Sequence, residues 1–402
     1  MSRIFVKKTI AELPYSGIRK FFDLASGMKG VISLGVGEPD FVTPWHIREA
    51  GVYSLEKGYT NYTSNCGLEE LRREISRYLY ERFQLKYDYS REIIVTVGAS
   101  EAIDIALRCV LEPGDEVIIP EPCFVSYKPC TIMAGGVPKI ISTKETDHFK
   151  LIPGDLEKAI TPRSKVLLLS YPNNPTGAVM TTQELQAVAE VVEKHDLLVI
   201  ADEIYSELTY DGEHVSFASL PGMRERTVLV NGFSKSFAMT GWRIGYAAAP
   251  EEIAAAMLKI HQYTIMCAPI MGQMAAIEAL KNGEGEIKRM AGQYDQRRHL
   301  IVNGLNQIGL SCFEPKGAFY AFPSIKSTGM SSQEFCAQLL KEEKVAVVPG
   351  DAFGQCGEGY IRCSYAASVE QITEALGRME KFVARHAKKQ KTKKQKTMYA
   401  VR

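Results

Sequence analysis

Residues 182–205 read TQELQAVAEVVEKHDLLVIADEIY, and the change of pattern inside this stretch sets the fold class. Leu185, Val188, Ala189 and Val192 recur at i, i+3, i+4 and i+7, which is one buried stripe on a helix. Residues 197–201 then run continuously apolar, as expected of a strand covered on both faces in a parallel sheet. The run stops abruptly on Asp202-Glu203-Ile204-Tyr205. Short apolar runs of the same kind occupy 93–97, 117–120, 166–170 and 228–230. Strand and helix patterns alternate over 45–285, which predicts an α/β architecture: a mainly parallel sheet flanked by helices.

The remainder of the chain reads differently. Over 304–381 the pattern is mixed α+β, with strands expected at 317–322 and 345–348 and helices at 332–341 and 369–383. The expected organisation is an N-terminal arm with part of a small domain (1–45), a large domain (46–285), the rest of the small α+β domain (286–385) and a tail (386–402). With 402 residues, 46% hydrophobic and 24% charged, the chain can bury a sizeable core in two or three domains. The net charge is +1, yet the tail alone carries six lysines and Arg402, a formal +7, so the rest of the chain stands at −6. No global field therefore draws the protein to nucleic acid or anionic lipid. The lysine run has no apolar residues to dock it and is expected to be disordered.

Nine cysteines without a CxxC pair read neither as a disulfide framework nor as a zinc site. Cys109, Cys267 and Cys336 sit in apolar surroundings, where thiols act as small core residues. No apolar run reaches the ~18 residues of a membrane span, and the first residues lack the ~7–15-residue apolar stretch of a secretory signal. The expected compartment is the cytoplasm.

The residues beyond each apolar run are more informative than the runs. In open parallel sheets, ligands bind beyond the carboxyl ends of the strands. Those ends carry Gly98-Ala99-Ser100-Glu101, Glu121-Pro122-Cys123-Phe124, Tyr171-Pro172-Asn173-Asn174-Pro175-Thr176-Gly177, Asp202-Glu203-Ile204-Tyr205 and Asn231-Gly232-Phe233-Ser234-Lys235-Ser236. Singly, each has a plain structural reading. Gly98-Ala99-Ser100 is a helix start before it is a phosphate cradle, Asp202 a helix cap, Asn174 a turn residue, Phe124 a core aromatic and Lys235 a surface lysine. Jointly, they supply a phosphate site, a stacking ring, an amide, a buried carboxylate, a phenol and a lysine. Those are the groups a pyridoxal phosphate site requires. The lysine amine bonds the cofactor's aldehyde, and the aspartate keeps the ring nitrogen protonated so that the ring serves as an electron sink.

At these residues the chain resembles the class I aminotransferases, pyridoxal phosphate enzymes of fold type I, over almost its whole length. The segment Gly232-Phe233-Ser234-Lys235-Ser236-Phe237-Ala238-Met239-Thr240-Gly241-Trp242-Arg243-Ile244-Gly245 is similar to that family's cofactor-attachment signature. Gly35-Val36-Gly37-Glu38-Pro39-Asp40-Phe41 and Gly58-Tyr59-Thr60-Asn61-Tyr62 resemble its prokaryotic aspartate and aromatic subgroup, of the Bacillus type. The resemblance implies that Lys235 is the attachment lysine and proton shuttle, with an amine pKa lowered by burial and by Arg243. It implies that Asp202 pairs with the ring nitrogen and that Tyr205 and Asn174 contact the ring hydroxyl. Phe124 would stack on the ring, where many relatives carry Trp or Tyr. Ala99, Ser100, Ser234 and Arg243 would hold the phosphate, with Tyr62 reaching over from the second subunit of a homodimer with shared active sites. Arg362 would grip the substrate α-carboxylate, helped by the Gly37 backbone. No arginine dedicated to a second carboxylate is identified.

The implied activity is transamination from an L-amino acid, aspartate or aromatic, to a 2-oxo acid such as 2-oxoglutarate, by a ping-pong route. Within transaminases the alternative is an N-acetyl-diaminopimelate enzyme. Carbon–sulfur lyases share the same lysine and aspartate, and fold does not settle chemistry. A pyridoxal phosphate-sensing DNA-binding regulator would need a helix-turn-helix segment ahead of this pattern, which starts within ~15 residues of the first residue. No metal, nucleic acid or membrane partner is expected.

Overall fold

The computed structural model describes residues 5–15, 17 and 28–400. Its centre is a seven-stranded sheet in the spatial order Ile93–Thr96, Gly245–Ala248, Thr227–Gly232, Leu198–Asp202, Ser164–Ser170, Glu116–Glu121 and Val137–Ser142. Six strands run one way, and Gly245–Ala248 runs antiparallel to both of its neighbours. The inner strands bury nearly every residue, which is why their sequences are continuously apolar rather than alternating. The helix Thr182–Lys194 lays Leu185, Val188, Ala189 and Val192 against the sheet. Thr181 and Glu184 close its first turn with reciprocal side-chain-to-backbone hydrogen bonds.

The parallel registers carry the strands further than their apolar runs do. Asp202 pairs across the ladder with Ser170 on one side and Val230 on the other, so the carboxylate belongs to the sheet edge itself. Two strands of this sheet escaped the pattern reading. Val137–Ser142 is a half-exposed edge strand, and Gly245–Ala248 is built of small residues.

A second group of elements packs beside this sheet. Val348–Pro349, Ile361–Ser364 and Tyr320–Ala321 form a three-stranded antiparallel sheet. Ile32–Ser33 pairs in parallel with Val345–Ala346, tying the N-terminal region to the C-terminal one. The helices Glu284–Gln307, Ser332–Glu343 and Val369–Ala400 cover them, and one hydrophobic cluster runs from Leu34 through Phe319, Phe335 and Ile361 to Phe382. The strand expected over 317–322 shortens to Tyr320–Ala321 because Ala318 takes a φ of 56°, outside the extended region.

At the lysine-rich end, the backbone continues the helix Val369–Ala400. Ile372, Ala375, Met379 and Phe382 dock its earlier turns. Lysine, glutamine and alanine are then good residues for propagating a helix already nucleated. Residues 401–402 lie outside the described residues. Among those described, no helix is long and apolar enough to cross a membrane.

The antiparallel strand leaves from the same edge at which its parallel neighbours finish, so Thr96 and Gly232 both pair with Gly245. Its approach to the next helix is very close: a Cβ on Gly245 would lie 2.5 Å from the Ala99 amide nitrogen and 2.6 Å from the Gly98 carbonyl carbon. Gly245→Ala is therefore expected to destabilise the cofactor-free protein by about 1–3 kcal/mol, measured by urea denaturation. A stability equal to that of the parent would show that the helix start can retreat freely.

Candidate functional site

Five sequence motifs lie at the carboxyl edge of the large sheet. The helix Gly98–Val110 starts two residues beyond the strand Ile93–Thr96, at a glycine with φ +76°. Arg243 precedes the antiparallel strand and takes a left-handed φ of 56°. A Cβ on Gly98 would lie 2.5 Å from Arg243 Nη2, so the guanidinium lies directly against the glycine backbone. The Arg243 Nη1 also donates to the Thr240 carbonyl at 3.0 Å. Ala99 is half-buried, Ser100 is exposed and Ser234 is buried.

Lys235 lies beyond the strand Thr227–Gly232. Its Nζ donates to the Gly37 carbonyl at 2.7 Å and lies 5.9 Å from the ring centres of both Tyr205 and Phe319. The residue keeps some exposed surface, but its amine end is withdrawn among these rings. Burial is the main reason its pKa falls to about 8; Glu38 opposes the shift, Arg362 and then Arg243 reinforce it, and Asp202 opposes it. Burial and Arg243 were the causes expected from the sequence; Arg362 acts more strongly than Arg243.

Asp202 is buried, and burial pushes its carboxyl above the usual range. Tyr127 donates its hydroxyl to Asp202 Oδ2 at 2.7 Å and the Ile204 amide donates to Oδ1 at 3.2 Å, both favouring the ionised form. No helix begins directly after Asp202 among the described residues, so the cap reading falls away in favour of a local side-chain-to-backbone turn. Phe124 stands edge-on to Tyr127, with ring centres 5.7 Å apart.

Arg362 comes from the small three-stranded sheet and is buried. Its Nη1 donates to Asn174 Oδ1 at 2.9 Å and its Nη2 to the Gly35 carbonyl at 2.6 Å. The guanidinium carbon sits 4.4 Å over the Tyr320 ring and 4.8 Å from that of Phe353, and Nε has no hydrogen-bond partner among the described residues. Burial lowers its pKa below the usual arginine value. Tyr205 and Tyr320 share a hydroxyl–hydroxyl hydrogen bond of 2.7 Å.

Gly37, Asp202, Tyr205, Lys235, Asn174 and Arg362 are thus linked by direct contacts or mutual electrostatics. Tyr62 is not among them: it is 81% exposed. Three participants went unread in the sequence. Tyr127 lies one helical turn beyond Phe124, a spacing that places both on one side of the short helix Tyr127–Met133 and its approach. Tyr320 and the Gly35 carbonyl carry no local signal, since a tyrosine within an apolar strand reads as core.

Comparisons with known proteins identify the family. Residues 29–379 match the family model described as aminotransferase class I and II. The "Putative aminotransferase YugH" of Bacillus subtilis (strain 168) is 59% identical over 379 residues, covering 94% of this chain and 98% of that protein. The aspartate aminotransferase of Pyrococcus abyssi is 48% identical, covering 92% and 95% respectively. The crystal structure of an aromatic aminotransferase from Pyrococcus horikoshii OT3 superposes with a TM-score of 0.87 at 46% identity, over 92% of this chain and 99% of that one. The match extends over both groups of elements and over every motif at the rim, and the chain belongs to the class I and II aminotransferases, as a pyridoxal phosphate-dependent transaminase.

Proposed function

We propose that this rim binds pyridoxal phosphate and transfers the amino group of an L-amino acid, aspartate or an aromatic one, to a 2-oxo acid such as 2-oxoglutarate. The observation that carries the reading is geometric: the Lys235 amine and the buried Arg362 guanidinium are held on neighbouring carbonyls, Gly37 and Gly35, at the sheet edge that ends in the buried Asp202 carboxylate. The residues suit the cofactor on their own chemistry. Asp202 is a desolvated carboxylate, and a cationic ring nitrogen would relieve its cost of burial. Arg362 keeps an unpartnered Nε in a buried setting, with its other nitrogens arranged as a fork.

When bound, the cofactor supplies an electron sink for negative charge at the substrate α-carbon. The protein does the rest. Asp202, steadied by Tyr127, would hold the ring nitrogen in its cationic form. Tyr205 and Asn174 would serve the ring hydroxyl, and Phe124 would stack on the ring. Ala99, Ser100, Ser234 and Arg243 would hold the phosphate at a helix start, where free amides and the helix dipole favour an anion. Arg362 and the Gly37 backbone orient the substrate α-carboxylate. Lys235, whose lowered pKa of about 8 leaves a fraction of it as free amine at neutral pH, would take the proton from the α-carbon and return it elsewhere on the reacting system. Two half-reactions on one site give ping-pong kinetics.

A homodimer completes the reading. Trp45, Val52, Tyr53 and Leu55 of the helix Trp45–Glu56 are exposed, as are Tyr59, Tyr62, Tyr263 and Met266. Asn65 Nδ2 donates to the Met266 carbonyl at 2.8 Å and joins the two loops into one surface. A second copy covering this surface would bring Tyr62 to the neighbouring phosphate. Nine free thiols support a reducing, cytoplasmic setting.

Lys235→Ala is expected to abolish both the visible absorbance of the bound cofactor and nearly all turnover; a variant keeping both would overturn the assignment. Arg362→Lys should raise the KM for amino acid and oxo acid alike by about 10-fold or more, because one ammonium cannot reproduce a two-pronged grip. Unchanged KM values for both would remove Arg362 from that role. In cofactor-free protein, a lowered pKa means that the neutral amine dominates above pH 8, so acylation of Lys235, followed by mass spectrometry, should rise with a midpoint of about 8. A midpoint at the ordinary 10.5 would show that the amine stays hydrated.

A further inference from the structure

The first turn of the phosphate-side helix contains a carboxylate that has no part in the proposed chemistry. Glu101 Oε2 accepts the Val97 amide at 2.5 Å, just ahead of the helix Gly98–Val110. A carboxylate favours a helix start, but here it shares that turn with Ala99 and Ser100. An unpaired anion beside them would compete with a phosphate for the same positive end of the dipole.

The structure supplies a partner for it. His261, in the helix Glu251–Thr264, is completely buried, and its Nδ1 lies 2.5 Å from Glu101 Oε1. The other ring nitrogen, Nε2, is buried with no hydrogen-bond partner among the described residues, so Glu101 is the polar contact that accounts for an imidazole at this place. The Glu101 side chain is itself only 11% exposed. Its two oxygens are therefore both committed, one to the Val97 amide and one to His261. The amides of Ala99 and Ser100 are not used by it. The pair also crosses elements: the His261 carbonyl accepts the amides of Ile265 and Met266, and Met266 holds Asn65 of the loop that carries Tyr62.

We propose that His261 is a positioning residue for the cofactor phosphate, acting through Glu101. By binding one carboxylate oxygen it holds the other on the Val97 amide, ahead of the first turn, and leaves the amides of Ala99 and Ser100 to the phosphate. This inference rests on the placement of the phosphate at Ala99, Ser100 and Arg243.

The test uses the full chain stripped of cofactor, with equilibrium binding of two probes: pyridoxal 5'-phosphate and pyridoxal, which lacks the phosphate. His261→Leu should weaken pyridoxal phosphate by about 10-fold or more, because it strands a nearly buried carboxylate beside the anion. Pyridoxal should bind as before. Adding Glu101→Gln to His261→Leu should restore most of the lost affinity, since it removes the charge that needed a partner. His261→Asn, which keeps a donor at the Nδ1 position, should stay near the parent and shows whether a substitution is tolerated there. Equal weakening of both probes by His261→Leu, or a double variant no better than the single one, would overturn the proposal. Arg243→Gln is the control for the underlying placement. If Arg243→Gln selectively weakens the phosphorylated probe and His261→Leu does not, the histidine proposal fails alone. If Arg243→Gln spares both probes, the phosphate has been placed wrongly.

Discussion

The cost of taking charge out of water shapes this site more than anything else. Lys235, Asp202 and Arg362 are ionisable groups drawn away from solvent at the rim, and burial is the leading cause of all three pKa shifts. Such groups are tolerated only when hydrogen-bonded or paired. The surroundings can be read as the answer: Tyr127 and the Ile204 amide for Asp202, the Gly37 carbonyl for Lys235, Asn174 and Gly35 for Arg362. Each arrangement is nearly complete yet leaves something over. A carboxylate held above its usual range, an amine lowered toward neutrality and an orphaned guanidinium nitrogen form a set of demands that a cationic ring, an aldehyde and a carboxylate would meet.

Topology makes the gathering possible. Parallel strands deliver Asp202 and Lys235 to one edge, and the single antiparallel strand delivers Arg243 there from the opposite direction. Arg362 arrives from another sheet altogether and is held against the Gly35 backbone. Arg362 and Lys235 therefore both depend on the segment 35–37, one through the Gly35 carbonyl and the other through that of Gly37. A shift of that segment would therefore move a hydrogen-bond partner of both side chains at once.

The sequence was most legible where a residue's local pattern and its role coincide. The strand ending at Asp202 had to be buried on both faces, and a carboxylate at such an edge is conspicuous. The lysine in its Gly-Phe-Ser-Lys-Ser setting was similarly plain. Tyr127 and Tyr320 were not, because an aromatic ring in an apolar element packs the core whether or not its hydroxyl has further work. His261 was equally silent: nothing within the helix Glu251–Thr264 announces a carboxylate 160 residues away. The lysine-rich end reads as disordered by composition, whereas its backbone continues a helix. Judged by composition it had nothing to fold against, but a helix already docked by Met379 and Phe382 needs no further burial to propagate.

The layered α/β class, the edge at which chemistry would occur and the identity of the residues placed there were all written in the order of the amino acids. They follow from periodicity and from the rule that parallel strands release their polar termini on one side. Folding in three dimensions settled which of those residues touch, which tyrosines and carbonyls complete their hydrogen bonds, and that Arg362 outranks Arg243 in lowering the Lys235 pKa. Pairings between distant segments depend on register and on the desolvation of a shared space, and neither quantity exists until the chain has closed around it.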